Sequence, residues 1–179
     1  MKPTMIAVAG LILIQISGCS TYAGDRYSIS ANNVVALRPY SANEVGVGEF
    51  TSSHPSFSSL GCWGVMRVKT PDGETLQNYI RNALVSELKI AEAYSDNGQN
   101  TLTGNLDKMY FRESTGLWKI LLTLTSTNGE SITAEENYEF TTSFYADATC
   151  DQMAQALMPA VQNLIEKLVR HPRFGQLVN

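Results

Sequence analysis

Residues 117–140 read LWKILLTLTSTNGESITAEENYEF, and this stretch decides the fold. Trp118, Ile120, Leu122 and Leu124 recur with period 2, which places them on one face of a strand. Asn128-Gly129 is the strongest hairpin signal in the chain, because a type I′ turn needs positive φ at both central residues. The return segment, 130–144, keeps Ile132, Ala134, Tyr138, Phe140 and Phe144 in phase. Thr133, Glu135, Asn137, Glu139 and Thr141 make its opposite, water-facing side. One face packs and the other is wetted.

Working outward, 101–111 alternates through Leu102, Gly104 and Leu106, then shifts phase to Met109 and Phe111. Such a shift predicts a bulge near Lys108. Ser114-Thr115-Gly116 turns the chain into the next strand, so 101–144 reads as a three-stranded meander. On either side lies a helical pattern. In 74–94, Leu76, Tyr79, Ile80, Ala83, Leu84, Leu88 and Ala91 recur at helical spacing, and Ser95-Asp96-Asn97-Gly98 supplies turn chemistry after them. In 150–169 the stripe is Leu157, Val161, Leu164, Ile165 and Leu168. Thr149 with Gln152 fits a capping box, Pro159 predicts a kink, and His171-Pro172 ends the pattern. Earlier segments speak less clearly. Val34 and Val35 centre a weak strand in 27–38, and 44–50 is a better one with an irregularity near Gly48. The serine-rich 51–60 is a loop carrying Phe57, and 62–69 is an irregular β edge. The predicted class is α+β: a mainly antiparallel sheet with two long helices packed on one face, in the order β-α-β-β-β-α.

The first twenty residues carry a different message. Lys2 precedes an almost unbroken apolar run from Met5 to Ile16, the length of a signal-peptide core and short for a membrane span. Ile16-Ser17-Gly18-Cys19 then closes it. This leader resembles the bacterial lipoprotein signal, although leucine is usual where Ile16 stands. The resemblance implies that Cys19 becomes the first mature residue and carries palmitate-type acyl chains that hold it on membrane lipid. The ordinary secretory leader is the alternative. Ser20, where an aspartate would favour inner-membrane retention, implies the outer membrane. The expected organisation is a signal peptide over 1–18, a lipidated tether over 19–26 and a single periplasmic α+β domain over 27–179.

The formal net charge is −4, and loss of Lys2 with a leader would make it more negative still. Nucleic acid is therefore not an expected partner. With Cys19 assigned to the anchor, Cys62 and Cys150 are left as a pair in an oxidising compartment. A structural disulfide is the leading reading, and a redox or metal-binding pair is the other. No metal site or cofactor is expected, since the chain has only two histidines and no ligand spacing.

The chain has no nucleophile elbow, H-E-x-x-H or phosphate loop, so it is not expected to be an enzyme. Two acidic residues stand out of pattern. Glu87 falls in the apolar stripe of the first helix, and Glu136 is in phase with Ala134 and Tyr138. They could be a desolvated acid–base pair, or each could sit at a layer's rim or pair with a cation such as Arg67 or Lys119; the second reading is preferred. Arg170, His171 and Arg173 cluster after the second helix, where cations complement the helix dipole. Arg170, Arg173 and Phe57 are also candidate partner contacts.

The order of elements across roughly 44–169 resembles small envelope lipoproteins with a β-α-β-β-β-α domain. Examples are the lipoprotein subunit of the lipopolysaccharide translocon and auxiliary lipoproteins of envelope transport systems. That resemblance implies docking to an envelope protein partner and transfers no binding residue. The expected function is a non-catalytic, lipid-anchored accessory subunit in outer-membrane assembly or transport. A periplasmic carrier holding a lipid or other apolar ligand between helices and sheet is the alternative.

Overall fold

Residues 21–54 and 59–179 are described in a computed structural model. The leader with Cys19, and Phe57 in the serine-rich loop, lie outside the described residues. The architecture is mixed α+β, built on a four-stranded sheet in which three strands form an antiparallel meander. These are β5 (Thr101–Arg112), β6 (Leu117–Ser126) and β7 (Ser131–Glu139), and β2 (Gly46–Ser52) pairs parallel to β5. Trp118, Ile120, Leu122 and Leu124 are fully buried on the inner face of β6, opposite Tyr138, Glu136, Ala134 and Ile132 of β7.

Two bulges shape this sheet. In β5 the register slips between Leu106 and Lys108, which exchanges the inward set. Asp107 is the extra residue, and its carboxylate accepts bonds from Asn105 (2.6 Å) and Thr123 (2.6 Å). In β2 the slip falls between Val47 and Phe50, at the expected irregularity beside Gly48. The Phe50 ring there lies directly over Gly104, where an added Cβ would sit 2.6 Å from ring carbons. The turn from β6 to β7 differs from the expected type I′. Gly129 alone has positive φ (92°), with Ser126 O accepting from Gly129 N and Glu130 O accepting from Ser126 N. Asn128 instead uses its side chain, donating to Gln176 O at 2.8 Å.

The inner face is covered by α2 (Leu76–Ile90) and α4 (Leu157–Val169). Helix α2 stops earlier than expected. Glu92 takes the left-handed conformation (φ 60°) and Ala93 N donates back to Leu88 O, a Schellman ending reached without the Ser95–Gly98 turn. The second helical pattern is two helices, α3 (Ala146–Gln155) and α4, broken at Ala156. Pro159 has no N–H to offer the Gln155 carbonyl, so the break falls one turn before it. The capping box does not form. Helix α3 begins at Ala146, and the Thr149 hydroxyl donates to Ser143 O and accepts from Ser143 N.

Three segments depart from the sequence reading. The weak strand over 27–38 is a helix, α1 (Ala31–Leu37), capped by Ser30 and burying Val34 and Leu37 at helical spacing. After His171-Pro172 the chain resumes as α5 (Phe174–Val178), whose Phe174 meets Tyr40 edge-on at 5.3 Å. The third is a small second sheet, formed by β3 (Ser59–Cys62), β4 (Met66–Lys69) and β1 (Thr21–Ala23). Residues 21–23, expected in a tether, pair parallel with β4, and Gly24 N extends the ladder to Lys69 O.

Candidate functional site

The two out-of-pattern carboxylates are both buried, and they share no partner. Glu87 projects from α2 toward the chain entering α1. Its Oε1 accepts from the Tyr27 hydroxyl (2.6 Å), Ser30 N (2.8 Å) and Asn33 Nδ2 (3.4 Å), while Asn33 also donates to Gln162 O of α4. Burial, and then the bond to Glu87, push the Tyr27 hydroxyl well above its ordinary range. This group ties the N-terminal segment to two core helices. Glu136, on β7, pairs with Lys167 of α4 at 2.7 Å and lies near Asn163 Nδ2. The cation is therefore Lys167 and not Arg67 or Lys119, because the inner face of β7 looks at α4. Lys119 pairs instead with Glu135 on the outer face, at 2.6 Å. A shared acid–base centre does not form; each carboxylate holds its own elements together.

Cations also occupy both edges of the central sheet. At β7 the carbonyls that point away from β6 accept from helix-side donors: Glu135 O from Lys167 (2.9 Å), and Ser131 O from Arg173. At β2 the carbonyls freed by the bulge, Val47 O and Gly48 O, accept from Arg81 at 3.0 and 2.6 Å. Sheet edges offer unpaired backbone groups to any passing strand, and a basic side chain placed there blocks that offer. Arg173, expected as a partner contact or helix-end charge, is thus engaged within the fold. Arg170 pairs with Glu166 one turn back at 2.9 Å, and His171 Nδ1 accepts from Arg173 N.

Cys62 and Cys150 form the structural disulfide, joining the end of β3 to α3, with Cα atoms 6.0 Å apart. The bridge fastens the small sheet onto α3. Beside it, an apolar cavity of about 10 Å³ is lined by Leu60, Val68, Leu76, Trp118 and Leu157. That is room for about one water molecule and far short of an acyl chain. Larger depressions are open to solvent, such as one of about 430 Å³ over Glu136, Asn163, Glu166, Lys167 and Arg170. Among the described residues no cluster of His, Cys, Asp or Glu could hold a metal, and no helix is long and apolar enough to cross a membrane.

Sequence pattern misplaced one group of aromatics. Phe144 was expected in phase with the core strand, but β7 ends at Glu139 and Phe144 stands fully exposed, edge-on to Tyr145 at 6.0 Å. Trp63 and Val65 are exposed too, in the turn between β3 and β4. The signal was available: an aromatic pair after the strand's alternation has stopped belongs to no strand.

No protein-family model and no curated protein matches the chain. Among solved structures, the fold is similar to that of a Xanthomonas campestris protein of the DUF330 family, with TM-score 0.52 and 11% identity over 88% of this chain and 97% of that one. A candidate lipoprotein from Caulobacter crescentus CB15 is also similar, with TM-score 0.32 and 11% identity over 78% of this chain and 93% of that one.

Proposed function

We propose that the protein is a lipid-anchored, non-catalytic lipoprotein of the bacterial envelope, acting as an accessory subunit that docks another envelope component in outer-membrane assembly or transport. The Cys62–Cys150 disulfide is the observation that carries the exported location, since such bonds persist in oxidising compartments. The leader ending in Cys19 adds the anchor, and Ser20 favours the outer membrane with the domain in the periplasm. Support for a binding role comes from the buried carboxylates. Glu87 is consumed in tying the N-terminal segment to α2, and Glu136 in holding α4 to β7, so neither is offered to a substrate. The nearly filled core favours docking over carriage of an apolar ligand.

Crosslinking the native protein in intact cells, with partners identified by mass spectrometry, tests this reading. A reproducible membrane-protein partner, lost when Cys19→Ser releases the domain from lipid, is the expected result. Recovery of lipid alone from the purified protein, with no partner, would replace the docking role with carriage.

A further inference from the structure

Strand β1 runs parallel to β4, with Thr21 beside Arg67, so the chain enters the fold at the end of the small sheet where β3 turns into β4. That turn is Trp63-Gly64-Val65, closed by the pairing of Cys62 with Met66. Helix α3 lies alongside in the same direction as β1. Tyr22 Oη donates to Asp147 Oδ1 (3.1 Å) in its first turn, and Gly24 faces the Ala154 carbonyl near its last. The amino end of α3, with Phe144 and Tyr145 leading into it, therefore lies at this same end, and the disulfide fixes the two parts together. Four large apolar side chains are exposed here: Phe144 (100%), Tyr145 (74%), Val65 (73%) and Trp63 (50%).

We propose that this end of the domain is a membrane-contacting surface, with Trp63, Val65, Phe144 and Tyr145 seated at the headgroup–acyl boundary of the bilayer that holds Cys19. The inference rests on the lipid-anchor reading. Cys19 precedes Thr21 by two residues, a span of at most about 7 Å. An acylated Cys19 therefore keeps this end within about 7 Å of the lipid-bearing residue. The residue types fit that position. Trp and Tyr carry an apolar ring and a polar group, which suits the interface, while Phe144 and Val65 supply apolar area. Arg67, exposed beside Thr21, lies near this end, where anionic headgroups would attract it. Asp147 at this end is held by the Tyr22 hydroxyl. Acyl chains alone tether a domain without orienting it; a second, side-chain contact fixes which face looks outward.

The chain has two tryptophans, and Trp118 is fully buried with its Nε1 donating to Met153 O, so Trp63 is the reporter at this end. The acylated protein would be reconstituted into phosphatidylethanolamine–phosphatidylglycerol vesicles, with Trp63→Phe as the difference control. Vesicle flotation and the mass of the acyl chains are read separately. Trp63 emission is expected to shift to the blue and to be quenched by brominated acyl chains. Val65→Ser with Phe144→Ser should lower that quenching at least about two-fold while flotation persists. A protein that is acylated and floats, but whose Trp63 emits as in Cys19→Ser protein in buffer, overturns the surface and leaves the anchor standing. Absence of acyl mass removes the anchor, and the surface with it. A blue shift that grows with protein concentration without lipid also overturns the proposal, since a second copy would then cover this end.

Discussion

The Tyr27 hydroxyl donates a 2.6 Å hydrogen bond to Glu87, joining the segment before α1 to a carboxylate fully buried on α2. Oε2 of that carboxylate has no hydrogen-bond partner among the described residues, so Oε1 carries all its compensation. Removing a donor from such a group costs the desolvation of what is left behind. Tyr27→Phe is expected to lower stability by about 1–3 kcal/mol, read from urea unfolding at neutral pH.

The same pair sets a pH dependence. Burial, reinforced at Tyr27 by Glu87, raises the hydroxyls of Tyr27 and Tyr79 above their ordinary value of 10.0. The folded protein then keeps these protons where the unfolded chain gives them up. Their contribution is complete below about pH 10 and is lost as pH rises beyond it. Wild-type stability should fall through that alkaline window, and Tyr27→Phe should flatten the fall. Equal slopes in the two proteins would exclude Tyr27 as a source.

Glu136 and Glu135 are neighbours in sequence with opposite surroundings. Glu136 is buried against a half-exposed Lys167, whereas Glu135 and Lys119 meet on the outer face. Lys167→Met, which leaves the buried Glu136 carboxylate with Asn163 alone, should cost about 1–3 kcal/mol. Lys119→Met should cost much less, since the outer carboxylate stays solvated. Thermal melts of both variants under one buffer check the contrast.

Gly104 and Phe50 form a packing pair that only glycine satisfies. Gly104→Ala drives a methyl into the ring, an overpacking worth about 1–3 kcal/mol. Adding Phe50→Leu should recover part of the loss, and a double-mutant cycle would measure the coupling.

The disulfide closes a sequence separation of 88 residues. Chain entropy alone assigns such a loop about 4–5 kcal/mol, an upper figure because reduced chains retain some structure. Cys62→Ser with Cys150→Ser should lower the melting temperature markedly. Dithiothreitol should do the same to the wild type and nothing further to the double variant.

The meander was legible because its signals are local: period-2 alternation, a phase shift at the bulge, and a glycine at the turn. Residues 101–126 announce all of these. Helix stripes were equally plain in Leu76–Leu88 and Leu157–Leu168. Their ends were not, because a Schellman ending on Glu92 and a break at Ala156 depend on what the neighbouring chain packs against. Short elements were also hidden. Three residues of β1 carry no periodicity, and they become a strand only because β4 offers them backbone partners. Glu87 stood out within its stripe, but the preferred reading, a rim position or a cation partner, does not hold for it: it is fully buried and bonded to neutral donors, of which Tyr27 lies 60 residues away. Spacing along one helix says nothing about a contact at that distance.

The parallel pairing of β1 with β4 also determines how the domain bears force. A load drawn through Thr21 acts along β1, so the ladder from Thr21 to Gly24 is strained in shear, with its bonds loaded together instead of opening one after another. Strand β4 passes that load to β3, and Cys62 delivers it covalently to α3. Traction from the amino end is thereby shared between the small sheet and α3.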